Sequence, residues 1–197
     1  MKFYFFIIII FFYISNSWAI DTKAKQAVVV DYNTNEILFE KNSNQKIIPA
    51  SMTKIMTVYA AFDRINNTDL TIEDTCTVSA KAYRTGGSRT FLEIDEQVTI
   101  NTLLRGIIIQ SGNDASVTLA ECLAGTEDDF ANLMNVYAEK LKMNNTNFKN
   151  SSGWPADNHY STVYDLSIIS NSLIRDFPDL YSYFSEKEFT YNDIKQP

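Results

Sequence analysis

Ser51-Met52-Thr53-Lys54 sets a hydroxyl and an amine three residues apart, just after the turn Ile48-Pro49-Ala50 and at the head of an apolar run. At a helix start, residues three apart share a face, so the Ser51 hydroxyl and the Lys54 amine come within hydrogen-bonding reach. A serine alcohol is a poor nucleophile until a neighbour takes its proton, and a lysine can do so only when neutral. With a reference pKa of about 10.4, an exposed lysine is neutral about 0.04% of the time at pH 7. Burial, or a second cation nearby, lowers that pKa. The free N–H groups and the positive dipole end of a helix N-terminus add a place for a developing oxyanion. The same residues also fit a serine N-cap followed by a surface lysine, and S-x-x-K alone does not separate the two readings.

The elements that must hold this pair follow from the hydrophobic pattern. From Met52 to Ile65 the chain is apolar nearly all round, the pattern of a central helix enclosed by others, which places Lys54 in partly dry surroundings. Before it, Ala27–Tyr32 reads as a buried strand, Asn33-Thr34-Asn35 as a turn and Glu36–Glu40 as the returning strand. Short strands are expected at residues 76–78 and 90–94, either side of the Gly86-Gly87 turn. Thr99 caps a helix through Leu103, Leu104, Ile107 and Ile108, and another helix runs from Asp114 to Leu123. Ser111-Gly112-Asn113 therefore lies at a sharp junction between helices, with Gly112 suited to the bend. Glu127–Met143 is amphipathic along Phe130, Leu133, Met134, Tyr137 and Leu141. Thr162 and Asp165 form a capping box for a last helix, and residues 188–192 resemble a strand beginning, left unfinished.

The 197 residues suit one domain with ample apolar content. Residues 3–14 are uninterruptedly apolar after Lys2 and are followed by Ser17-Trp18-Ala19, the pattern of a signal peptide cleaved after Ala19. The alternative is an uncleaved N-terminal anchor, since Trp18 also suits a membrane interface. Removing residues 1–19 leaves 16 basic against 24 acidic residues, a net charge of −8 with the single His neutral. Nucleic acid is thereby excluded as a partner, and acidity of this kind speaks for solubility. Export permits disulfides, but Cys76 and Cys122 make neither a disulfide scaffold nor a zinc pattern and are read as semi-buried thiols.

Other chemistries lack their parts. There is one histidine, His159, and no G-x-S-x-G, so His159 is read as orienting the loop before a helix. H-E-x-x-H and cysteine–histidine clusters are missing, so no metal and no cofactor is expected. The class A β-lactamases are the nearest enzymatic rival, but no Glu-x-x-Leu-Asn follows Ser111.

The ordered string Pro49–Thr57, Gly87-Ser88-Arg89, Leu104-Arg105-Gly106, Gln110–Ala115, Asn150–Gly153, His159–Thr162, Tyr181 and Glu188–Tyr191 closely resembles the serine D-alanyl-D-alanine carboxypeptidases. These are the low-molecular-weight penicillin-binding proteins, of peptidase type S11. The resemblance covers nearly all of the chain after residue 19. It implies an α+β fold of the serine β-lactamase/transpeptidase type, a helical cluster against an antiparallel sheet. It also implies that Ser51 is the acyl-ester nucleophile, Lys54 its general base, Ser111 a proton relay to the leaving D-alanine, and Asn113 the holder of the substrate's peptide group. Peptidoglycan pentapeptides would be the substrate, β-lactams acylating inhibitors, and the periplasm or outer face of the cytoplasmic membrane the location.

The third motif of that family, Lys-Thr-Gly, does not occur after Ser111, and Arg84-Thr85-Gly86 imitates it only out of order, as a turn. The expectation is therefore a chain cut short within its fold: residues 1–19 a signal peptide, residues 20–197 the N-terminal part of the catalytic domain, with an incomplete sheet. The alternative function is an inactive remnant or split-gene half, non-catalytic unless a complementing downstream segment is supplied.

Overall fold

Ile55 to Phe62 carries apolar side chains on every face, and the computed structural model, which describes residues 20–196, encloses it accordingly. Helix α1 (Lys54–Asn67) holds Met56, Val58, Ala60, Ala61 and Phe62 at 1% exposure or less. It packs against α3 (Ile100–Ile108), α4 (Asn113–Ala124), α5 (Glu127–Lys140) and α6 (Val163–Asp176). Helix α4 is sunk almost as deeply, with α2 (Ala80–Arg84) against it. Burying large apolar side chains at roughly 1.5–3 kcal/mol each makes this α1–α4 core the main source of stability.

The helix starts follow side-chain chemistry. Thr99, Thr126 and Thr162 each accept a hydrogen bond from the backbone N–H three residues on, capping α3, α5 and α6. The box expected at Thr162 is half formed, because Asp165 Oδ2 turns to Asn145 N at 2.8 Å and Thr146 Oγ1 at 2.7 Å.

The strands form three separate antiparallel pairs: β1 (Ala27–Val30) with β2 (Ile37–Lys41), β3 (Thr75–Thr77) with β4 (Gln97–Thr99), and β5 (Phe189–Tyr191) with β6 (Ile194–Gln196). The first hairpin has the expected turn, closed by Asp31 N donating to Glu36 O at 2.9 Å. It is not buried as expected: Val29, Ile37 and Leu38 are 41%, 41% and 58% exposed. The tail is a completed hairpin rather than an unfinished strand, in register from Phe189↔Gln196 to Tyr191↔Ile194.

Two further expectations are corrected. Residues 90–94 form no strand, because Asp114 takes the N–H groups of Thr90, Phe91 and Leu92 that a strand partner would need, and Phe91 adopts φ +66°. Cys76 and Cys122 are not thiols but a disulfide, Cα–Cα 5.5 Å apart, tying β3 to α4. Two cysteines 46 residues apart carry no local sign of pairing, and only the packing of β3 on α4 brings them together. Among the described residues no helix is long and apolar enough to cross a membrane. The apolar run at residues 3–14 and the Ser17-Trp18-Ala19 site lie outside the described residues.

Candidate active site

The chain enters α1 through a 3₁₀ turn, Ala50–Thr53, rather than by an α-helix beginning at Met52. With three residues per turn, that geometry sets residues i and i+3 directly over one another, and Ser51 and Lys54 are such a pair. Ala50 is forced to φ +48° immediately before Ser51. Gly153, at φ +83°, packs against it so closely that an added Cβ would come 1.8 Å from Ala50 O. The uncommon conformation beside the nucleophile thus lies against a loop that only glycine lets approach.

Lys54 is 4% exposed. Its Nζ reaches Ser51 Oγ at 3.2 Å, Asn113 Oδ1 at 2.8 Å and Ser152 O at 2.7 Å. None of the ion pairs among the described residues involves it. Desolvation, with no carboxylate to offset it, lowers its pKa to about 8. The amide and main-chain oxygens can only accept, so they claim two N–H groups and leave the third position of the nitrogen facing Ser51. In the neutral amine that position is a lone pair, aimed at the hydroxyl it would deprotonate.

Ser111 sits at the α3–α4 junction and lines one cavity with Ser51 and Lys54, about 130 Å³ in volume and lined also by Ile55, Ile108 and Phe184. At the bend it is Ser111 that takes the left-handed conformation, at φ +57°, while Gly112 has φ −62°. Glycine is needed at 112 for a different reason: a Cβ there would come 2.3 Å from Thr90 Oγ1. Asn113 bridges the site, with Oδ1 on Lys54 and Nδ2 donating to Gly86 O at 2.8 Å. One amide hydrogen is left for another acceptor.

Several residues to which the sequence assigned no catalytic or substrate-holding role position these groups. Asp114, fully buried, gathers the N–H groups of Thr90, Phe91, Leu92 and Ala115 at 2.8–3.2 Å, fixing the loop over the N-terminus of α4. A charge in the first turn of an otherwise buried helix is a signal that could have revealed it. The loop carrying Ser152 is fastened by Thr57 Oγ1 donating to Ser151 O at 2.6 Å, and by Ser151 N and Oγ donating to Glu127 Oε1 at 3.1 and 2.7 Å. Burial alone would raise the Glu127 pKa, but hydrogen bonds from Lys81 and Ser151 outweigh it and leave the carboxyl below its ordinary value. His159 plays the loop-orienting part expected of it: its Nδ1 accepts from Lys149 N at 3.3 Å, so Nε2 carries the proton and donates to Thr53 Oγ1 at 2.9 Å. Desolvation lowers its pKa, favouring that neutral form. Arg84-Thr85-Gly86, expected as a turn, is instead the last residue of α2, its C-cap and the residue whose carbonyl accepts from Asn113 Nδ2.

This arrangement of a serine beside a buried, partly neutral lysine, with a second hydroxyl on the same cavity, is equipped for acyl transfer through a serine ester. Residues 14–197 match the family model described as D-alanyl-D-alanine carboxypeptidase, of peptidase type S11. The chain is 39% identical over 180 residues to the D-alanyl-D-alanine carboxypeptidase DacC of Escherichia coli (strain K12), covering 88% of this chain and 45% of that protein. Among solved structures it superposes on the D-alanyl-D-alanine carboxypeptidase DacD from Francisella tularensis with a TM-score of 0.86 at 37% identity, covering 90% of this chain and 43% of the other. It superposes on penicillin binding protein 5 from Haemophilus influenzae with a TM-score of 0.85 at 39% identity, covering 88% and 52%. The chain thus spans about half the length of the relatives it matches.

Proposed function

Because this chain belongs to the S11 family of serine D-alanyl-D-alanine carboxypeptidases, we propose that it acts as one, removing the terminal D-alanine of peptidoglycan pentapeptides through an acyl-enzyme at Ser51. Lys54 takes the Ser51 proton as Oγ attacks the carbonyl carbon of the penultimate residue. Ser111 relays a proton to the departing D-alanine amine as the tetrahedral intermediate collapses. Water then cleaves the ester and Ser51 regains its hydrogen. The observation that carries this reading is the Lys54 amine, nearly fully buried, held by two acceptors and left 3.2 Å from Ser51 Oγ. Asn113 contributes twice, holding Lys54 and offering its remaining N–H to the substrate's peptide group. β-Lactams, which present a strained amide to the same serine, are the acylating inhibitors. Labelling by a fluorescent penicillin should vanish in Ser51→Ala and slow by orders of magnitude in Lys54→Ala. Undiminished labelling of Ser51→Ala sinks the assignment.

Residues 1–19 act in this reading as an export signal, and residues 20–197 as part of the catalytic domain, working in the periplasm or on the outer face of the cytoplasmic membrane. N-terminal sequencing of envelope protein should begin at Ile20, and full-length chain in the soluble cytoplasm would refute export.

One observation favours a second reading, in which these residues are not catalytic on their own. The exposed apolar side chains of β1 and β2 adjoin a groove of about 500 Å³ between the hairpin and α6, lined by Val28, Val30, Ile55, Leu166 and Ile174 among others. An unpaired strand edge beside such a groove suits a further strand, from the same protein or a complementing chain. D-Alanine release by residues 20–197 alone would eliminate this reading. Release that requires added downstream polypeptide would establish it.

A further inference from the structure

Beside the Lys54–Asn113 contact lies a second cavity, of about 450 Å³, lined by Arg84, Gly86, Val117, Glu127, Ser152 and Trp154 among others. It adjoins the reacting groups through two residues. Ser152 lines it while its carbonyl holds Lys54, and Asn113 joins Lys54 to the Gly86 carbonyl. Three of its features have no part in the chemistry at Ser51.

The first is Trp154, 51% exposed although its main chain is pinned: its carbonyl accepts from Asn150 Nδ2 at 2.8 Å, and its N–H donates to Ser152 Oγ at 3.3 Å. The indole rests on the Gly86-Gly87 turn, where an added Cβ would come 3.5 and 3.2 Å from it respectively. A large aromatic held in place against glycine backbone, with half its surface uncovered, is a platform for a ligand rather than a core side chain. The second is Arg84, exposed, with Nε donating to Ala80 O at 3.0 Å. Among the described residues it enters none of the ion pairs, and its planar fork suits a carboxylate. The third is Glu127, the cavity's own acid, which is already engaged: Oε2 lies 2.8 Å from Lys81 Nζ, and Oε1 takes both Ser151 donors. The cavity therefore offers an unpaired cation beside an aromatic surface, with its acid neutralised. That is complementary to an anionic side chain on a backbone able to lie over a ring.

We propose that this cavity is a subsite for an acidic residue of the donor peptide, upstream of the scissile D-alanyl pair, with the carboxylate on Arg84 and the adjoining peptide on Trp154. The proposal rests on the carboxypeptidase reading of Ser51. It gives the enzyme a means of preferring acidic stem peptides over short neutral ones.

The test uses the full chain carrying Ser51→Ala, so that binding is read without turnover. Isothermal titration compares a pentapeptide ending in D-Ala-D-Ala with an acidic side chain upstream, the same peptide with that side chain as its amide, and a peptide-free disaccharide of the glycan strand. The acidic peptide should bind about tenfold more tightly than its amide, the size of a modest charge-assisted contact. That preference should disappear in Arg84→Gln, and both peptides should weaken in Trp154→Ala but recover in Trp154→Phe. Equal binding of acid and amide, a preference that survives Arg84→Gln, or a response of the variants to the disaccharide alone would each overturn the subsite. Penicillin labelling of the unsubstituted chain separates the two claims. Labelling without acid preference removes the subsite only, and loss of labelling removes the carboxypeptidase reading beneath it.

Discussion

The pH dependence of acylation is set by one buried amine. Lys54 has a pKa lowered to about 8 by desolvation, and Asn113 Oδ1 and Ser152 O, which hold it, do not titrate in the working range. A lysine at about 8 is neutral about 9% of the time at pH 7, against roughly 0.04% for an exposed one, so burial raises the reactive population by more than two orders of magnitude. The second-order rate of penicillin labelling should therefore climb about tenfold per unit below pH 7, pass half-maximum near 8 and level off above 9. Stability should move in the same window. The folded pKa lies below the unfolded value, so between pH 8 and about 10.5 the unfolded chain binds more protons and stability rises with pH. The difference is about 3 kcal/mol, absent below pH 8 and fully gained above about 10.5. Stopped-flow labelling from pH 6 to 10, with denaturation midpoints over the same range, checks both. A rate flat from pH 6 to 9, or one with its midpoint near 10.4, would refute the claim that burial activates Lys54.

Replacing Cys76 and Cys122 together by Ala should lower stability by about 4 kcal/mol, the closure entropy of a 46-residue loop, read as a lower denaturant midpoint matched by reduction of the unsubstituted chain. An unchanged midpoint would contradict the bridge. Gly153→Ala must displace the Ala50 backbone and should both destabilise the fold and slow labelling, whereas Gly125→Ala, also at positive φ but with nothing within 4 Å of its Cβ, should cost only about 1 kcal/mol and leave labelling intact. Asp114→Asn exchanges an acceptor oxygen for a donor facing backbone N–H groups, so a loss of about 1–3 kcal/mol and weaker labelling are expected from thermal melts and gel fluorescence.

The reacting side chains were legible because their signals are local. Spacing puts Ser51 and Lys54 on one face, but their roles, and those of Ser111 and Asn113, came from the ordered short motifs that resemble the carboxypeptidases, while the caps at Thr99 and Thr162 follow from helix-start chemistry. What escaped the sequence is non-local. Asn150–Gly153 is one of the motifs that carry the resemblance, but the contact of the Ser152 main-chain carbonyl with Lys54 follows from no side chain and was not legible. The irregular path of residues 90–94 is dictated by Asp114, more than twenty positions away, against the local β-propensity of Phe91, Leu92 and Ile94. At the junction the sequence located the bend and read Gly112 as suited to it, without showing that Ser111 takes the left-handed conformation. Close packing against Thr90 fixes the glycine at 112, and the strain passes to Ser111.

The account turns on Ser51 carrying the acyl group, and peptide mapping by mass spectrometry after brief exposure to benzylpenicillin at pH 8 reads that directly. The penicilloyl mass should appear on the peptide containing Ser51, fragment to that residue, and be absent from Ser51→Ala. An adduct localised to Ser111 or any other residue, or one that persists in Ser51→Ala, would contradict the central claim.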